Sequence, residues 1–121
     1  MHIYSFEKLT VWQNVRKLTK KVYLCTQNFP AEEKFGLVSQ LRRAVVSISS
    51  NIAEGSSRNS PKDQAHFYNM AYGSALEVVN QLILAFDLAF ISETTYQELR
   101  QDLEQITNQL NALEKSIRKK I

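Results

Sequence analysis

The run Leu99-Arg-Gln-Asp-Leu-Glu-Gln-Ile-Thr-Asn-Gln-Leu-Asn-Ala-Leu-Glu-Lys-Ser-Ile117 places large apolar residues at 99, 103, 106, 110, 113 and 117, with polar residues at nearly every other position. Steps of four and three alternate, so these side chains form one unbroken stripe on a helix, a heptad seam kept over nearly three repeats. A helix with a single apolar stripe is stable only when that stripe is covered, so this segment requires helical partners.

Three further segments have the same period. Val11, Val15, Leu18, Val22, Cys25 and Phe29 make the stripe of a first helix over about 11–28, with Thr10 and Gln13 spaced as a capping box and Phe29-Pro30 as its stop. Leu37, Leu41, Ala44, Ile48 and Ile52 mark a second helix within about 32–55, after acidic Glu32 and Glu33 and ended by Gly55. Ser60-Pro61-Lys62-Asp63 supplies an N-cap, a proline at the first helical position and an acidic first turn. The third helix follows over about 61–90 on Phe67, Ala71, Ala75, Val78, Leu82 and Phe86. A turn capped by Ser92 or Thr94 leads into the fourth helix over about 95–119. No strand pattern competes with these helices. Residues 1–121 therefore read as one all-α domain, an antiparallel up-down-up-down four-helix bundle.

Composition agrees with this reading. The chain has 121 residues, 44% apolar and 22% charged, which is enough for a core without staples, and only three Gly and two Pro, which favours long elements. The single cysteine, Cys25, rules out an internal disulfide and fits a reducing compartment. The longest apolar stretch, 82–91, is about half a bilayer span and contains Asp87. No secretory signal is evident at the start. The expectation is a cytoplasmic protein without membrane contact.

Chemistry-bearing patterns are sparse. Asp63 and His66 are the only acid–histidine pair at i, i+3, whereas a bundle metal site uses two such pairs, so no metal and no cofactor is expected. No glycine-rich phosphate loop is present. Cys25 falls on an apolar stripe, where it reads as a small hydrophobe. Ser47, Ser49, Ser50 and Ser74 have no oriented base besides His66, so no catalytic residue is assigned and the chain reads as a non-enzyme.

A polar line remains. Arg43, Ser47, Ser50 and Glu54 fall within about 60° of one another on the second helix, with Asn51 at the edge toward the core. On the third helix, Ser74 and Glu77 lie near Ala71, Gly73 and Ala75, small residues that let helices approach closely. Such an approach would bury Arg43, Ser47, Asn51, Glu54, Ser74 and Glu77 as a polar network within or between subunits. The alternative is a ligand pocket lined by Arg43, Asn51, Glu54 and Glu77.

Charge is also unevenly placed. In an up-down bundle, the start of the first helix, the second loop and the end of the fourth helix share one end. Lys8, Arg58, Lys62, Lys115, Arg118, Lys119 and Lys120 gather there, while Glu32, Glu33, Asp87, Glu93 and Glu98 mark the other end. Arg16, Lys17, Lys20 and Lys21 form a secondary basic group along the first helix. The net charge of +3 permits an anionic partner without demanding one. The basic clusters lack interleaved aromatics, so they suggest backbone contact and not base readout.

The runs Phe6-Glu-Lys-Leu-Thr-Val-Trp12, Phe29-Pro30, Gly36-Leu-Val-Ser-Gln-Leu-Arg-Arg-Ala44, Ser47-Ile-Ser-Ser-Asn-Ile-Ala-Glu-Gly55 and Ala71-Tyr-Gly-Ser-Ala-Leu-Glu77 resemble the bacterial family of 23S rRNA intervening-sequence proteins, also labelled S23 ribosomal proteins. The likeness spans nearly the whole chain, although the fourth helix matches mainly in pattern. It implies a four-helix bundle assembling as a ring-like homopentamer. It also implies distant similarity to the accessory variability determinant of diversity-generating retroelements, a pentameric bundle that binds nucleic acid and a reverse transcriptase. It brings no catalytic residue. Together these readings predict a homo-oligomeric bundle that binds RNA or DNA backbone through its basic end. The alternative is an oligomeric scaffold for a protein partner, without nucleic-acid affinity.

Overall fold

The fourth-helix stripe is buried as its spacing requires. In the computed structural model, which describes residues 1–121, Leu99, Leu103, Ile106 and Leu110 are almost fully enclosed, and Leu113 packs half-buried on the same core. Each fully buried side chain of this size contributes about 1.5–3 kcal/mol. The chain forms four α-helices, α1 Thr10–Thr26, α2 Leu37–Ser56, α3 Pro61–Asp87 and α4 Glu93–Arg118, with 3-10 turns at Ser5–Lys8 and Ala31–Glu33 and no strand. No helix is long and apolar enough to cross a membrane.

Consecutive helices pack side by side and α4 returns against α1, while α1 and α3, like α2 and α4, lie diagonally apart. Cross-helix partners give the directions. Asn14 Nδ2 donates to Gln109 Oε1 at 3.0 Å and Lys21 Nζ to Asp102 Oδ2 at 2.9 Å, so α1 and α4 run antiparallel. The Ser47 and Ser74 hydroxyls, 2.9 Å apart, and Gly55 against Tyr68 set α2 antiparallel to α3. The ends therefore group as the up-down reading requires, with the α2–α3 loop beside the start of α1 and the end of α4.

Several boundaries differ from the sequence reading. Helix α2 starts at Leu37, not near 32: Ala31–Glu33 turns as 3-10, and Gly36 at φ −108°, ψ −113° is not helical. Glu33 Oε1 then accepts from the Leu37 amide at 3.3 Å, so this acid caps the helix that it was expected to begin. At the α3 terminus, Ala89 takes φ +62°, its amide donates to Phe86 O and the Phe90 amide donates to Ala85 O, each at 2.9 Å. This Schellman closure stops the helix at Asp87 instead of 90. The Thr10 capping box does not form, because Leu9 is the N-cap and Gln13 Nε2 donates to Glu7 O at 2.9 Å.

Gly55 does not stop α2, which continues to Ser56. A Cβ at Gly55 would lie 2.8 Å from Tyr68 Cε1 and 3.0 Å from Phe67 Cβ, so glycine lets α3 come close. The Ser60 cap forms as read, accepting from the Asp63 amide at 3.2 Å. Of the two candidates before α4, Ser92 is the cap, accepting from the Thr95 amide at 3.1 Å, so α4 begins at Glu93 and not near 95.

Candidate nucleic-acid interface

Lysines at a helix end are stabilised by the dipole only near a C-terminus, and elsewhere they stay in water unless a carboxylate reaches them. At the end formed by the start of α1, the α2–α3 loop and the end of α4, Lys8, Lys62, Lys115, Lys119 and Lys120 are exposed and make no ion pair. The two arginines there are engaged. Arg118 Nε lies 2.7 Å from Glu114 Oε1, and Arg58 lies 3.5 Å from Glu54 Oε2 with its guanidinium 4.5 Å from the Phe67 ring centre. Five of the seven residues grouped from sequence thus present free positive charge.

The secondary group divides. Lys21 bridges α1 to α4, 2.9 Å from Asp102 and 3.0 Å from Glu98. Its hydrogen bonds to those carboxylates, Asp102 first, hold the ammonium above the ordinary lysine value. Lys21 is a clamp between helices and does not join an open basic face. Arg16, Lys17 and Lys20 are exposed and line a shallow hollow along α1, and Arg16 lies over Trp12 at 5.7 Å.

The polar line also divides. Ser47 bonds Ser74 across the helices, and Asn51 Nδ2 donates to Ser47 O at 2.9 Å and Oγ at 3.2 Å, all three half-buried. Arg43, Glu54 and Glu77 are exposed and do not enter a buried network within the subunit. The physical reason is orientation: Ala71 and Ala75 face the core, while a Cβ on Gly73 would meet nothing within 4 Å, so no close approach covers that side. Arg43 and Glu77 have no partner in the subunit, and exposed Val46, Met70 and Leu76 belong to the same two helices. None of the surface hollows is lined by Arg43, Asn51, Glu54 or Glu77.

The largest hollow, about 500 Å3, is open and lies between α1 and the α3–α4 turn, lined by Leu24, Cys25, Phe90, Ile91 and Leu99 among others. Burial pushes the Cys25 thiol up, with Arg42 partly opposing it. His66 is exposed, with its ring edge-on to Phe67 at 5.7 Å. No three His, Cys, Asp or Glu side chains converge as a metal site.

An aromatic row at the chain start was not read from sequence. His2 and Tyr4 meet edge-on at 4.7 Å, Tyr4 and Phe6 are near parallel at 6.2 Å, and Phe6 meets Trp12 at 5.0 Å. Its signal was the alternation of rings at 2, 4 and 6 ahead of Trp12.

This geometry can be set beside known proteins. Among curated proteins, none matches the chain in sequence. A crystal structure of a protein of unknown function from the S23 ribosomal protein family of Bacteroides thetaiotaomicron VPI-5482 superposes with a TM-score of 0.79. It covers 88% of this chain and 99% of its own at 23% identity, a likeness of fold. The family described as 23S rRNA-intervening sequence protein matches residues 7–112, nearly the full length. The chain belongs to that family.

Proposed function

We propose that the protein is a non-enzymatic, homo-oligomeric bundle that binds RNA or DNA backbone through its basic end. The observation that carries this reading is the gathering of five unpaired lysines, Lys8, Lys62, Lys115, Lys119 and Lys120, where three chain segments meet. Ammonium groups left in water can replace counterions on phosphate, and a repeated subunit multiplies their number. The family name ties its members to intervening sequences of 23S rRNA, which makes RNA the first ligand to try.

Self-association is supported by the outward side of α3. Met70, Leu76, Ile83 and Leu84 are exposed there, with Glu77 unpaired, and α2 adds Val46 and Arg43. A ring-like homopentamer is the assembly proposed. Light scattering on the eluted protein should give five chains of 13.9 kDa, and a monomer would refute it.

Fluorescence anisotropy of labelled RNA and DNA at two salt concentrations tests the binding. The reading expects affinity that falls steeply with salt. No binding even at low salt would overturn it in favour of the protein-scaffold role.

A further inference from the structure

Aromatic rings normally lose water by packing against a core, so a ring held in a fixed position on the surface calls for an explanation. Tyr4 is 60% exposed, yet its backbone is locked. Its amide donates to Glu7 Oε2 at 2.8 Å, and its carbonyl accepts from the Glu7 amide at 3.1 Å. The Ser5–Lys8 turn packs on α1 and on α2. The rings of Tyr4, Phe6 and Trp12 are thereby held at the start of α1, with His2 edge-on to Tyr4 at the head of the row and the Arg16 guanidinium 5.7 Å from its last ring. That is the end that carries the unpaired lysines. A second ring–cation pair, Phe67 under Arg58 with His66 at its side, stands at the same end.

Within the row His2 and Tyr4 are exposed, while Phe6 and Trp12 are half-buried beneath them as support. Supported rings beside free ammonium groups are the combination that holds unpaired bases: the lysines follow the phosphates while the exposed rings accept bases. In a duplex those base faces are already stacked on one another. We propose that the His2–Tyr4–Phe6–Trp12 row is a stacking platform that makes the basic end take single-stranded nucleic acid in preference to duplex. The proposal rests on the backbone-binding reading above and adds the form of nucleic acid that it takes.

The test compares a labelled RNA strand of about 20 nucleotides, long enough to reach across one site, with its duplex, against the full chain and its Tyr4→Ala and Tyr4→Phe variants. Stacking of one base is worth about 1–3 kcal/mol, or roughly 5- to 150-fold in affinity. The strand should therefore bind at least about fivefold more tightly than the duplex. Tyr4→Ala should remove most of that preference and leave duplex affinity unchanged, and Tyr4→Phe should retain it. Equal affinity for strand and duplex, or a strand affinity indifferent to Tyr4→Ala, would overturn the platform while leaving backbone binding in place. Absence of binding to either form would overturn both readings. A change in the oligomer mass of Tyr4→Ala would also overturn the platform, since the row would then be a contact between subunits.

Discussion

At the end of the bundle where α1 stops and α4 begins, Phe29 lies 5.4 Å from Phe90, and Phe86 stacks on Tyr96 at 4.5 Å. Two of the carboxylates there also have structural partners: Glu33 caps α2 and Glu98 holds Lys21. At the opposite end, His2 and Tyr4 remain on the surface, and five lysines have no partner. The first end uses these four rings, Glu33 and Glu98 to close the fold, although Phe35 stays 89% exposed beside Lys34, and the other leaves the Tyr4 ring and a larger group of lysines available. The first end makes two chain reversals and the basic end only one, the α2–α3 loop, so the unpaired lysines there are not needed to close a turn and are what calls for a function.

The packing behind the basic end is most sensitive at Gly55. Tyr68 is 3% exposed and cannot swing away from a new Cβ, so Gly55→Ala should lower unfolding stability by about 1–3 kcal/mol in a urea titration. A neutral or stabilising result would mean that the α2–α3 contact yields easily. At the closed end the sign reverses. Ala89 bears a side chain in the left-handed region, so Ala89→Gly should raise stability by about 1 kcal/mol by relieving the Schellman position.

The smallest effect separates structural from available charge. Lys21→Met should lower stability by less than about 1 kcal/mol and leave RNA affinity unchanged, because its ammonium is committed to Asp102 and Glu98. The raised lysine value means that this contribution is complete at neutral pH. It is lost only as pH climbs past the ordinary lysine range through the raised one. An RNA affinity that fell with Lys21→Met would return that residue to the basic face.

The fold was largely legible in the sequence because its deciding signals are local. The α4 heptad and the Ser60-Pro61 start each lie within a few turns of helix, and both appear in the structure as read. What escaped depends on distant partners or weak local marks. Gly55 looked like a helix stop because Tyr68 is far from it in sequence. Ala89 gave no glycine signal for the α3 terminus.

Lys21 shared its sign with Arg16, Lys17 and Lys20, and only the antiparallel return of α4 shows it paired. Arg43, Glu54 and Glu77 are not buried within one subunit for a related reason, which leaves the contact between subunits as the other half of that expectation. Spacing placed them beside small residues, but Gly73 faces outward with nothing against it. The basic end itself was readable once the up-down order was taken, while the fixed Tyr4 ring beside it depends on a 3-10 turn too short to show a period.

Whether the basic end itself attracts nucleic acid is decided by the salt dependence of RNA affinity in two variants that lose the same charge. One carries Lys115→Gln, Lys119→Gln and Lys120→Gln at the basic end, and the other Lys17→Gln, Lys20→Gln and Lys34→Gln elsewhere. The first should flatten the slope of log affinity against log salt by about two to three and weaken binding broadly, while the second should change it far less. Equal losses in the two variants would mean that diffuse positive charge, and not the basic end, attracts the nucleic acid.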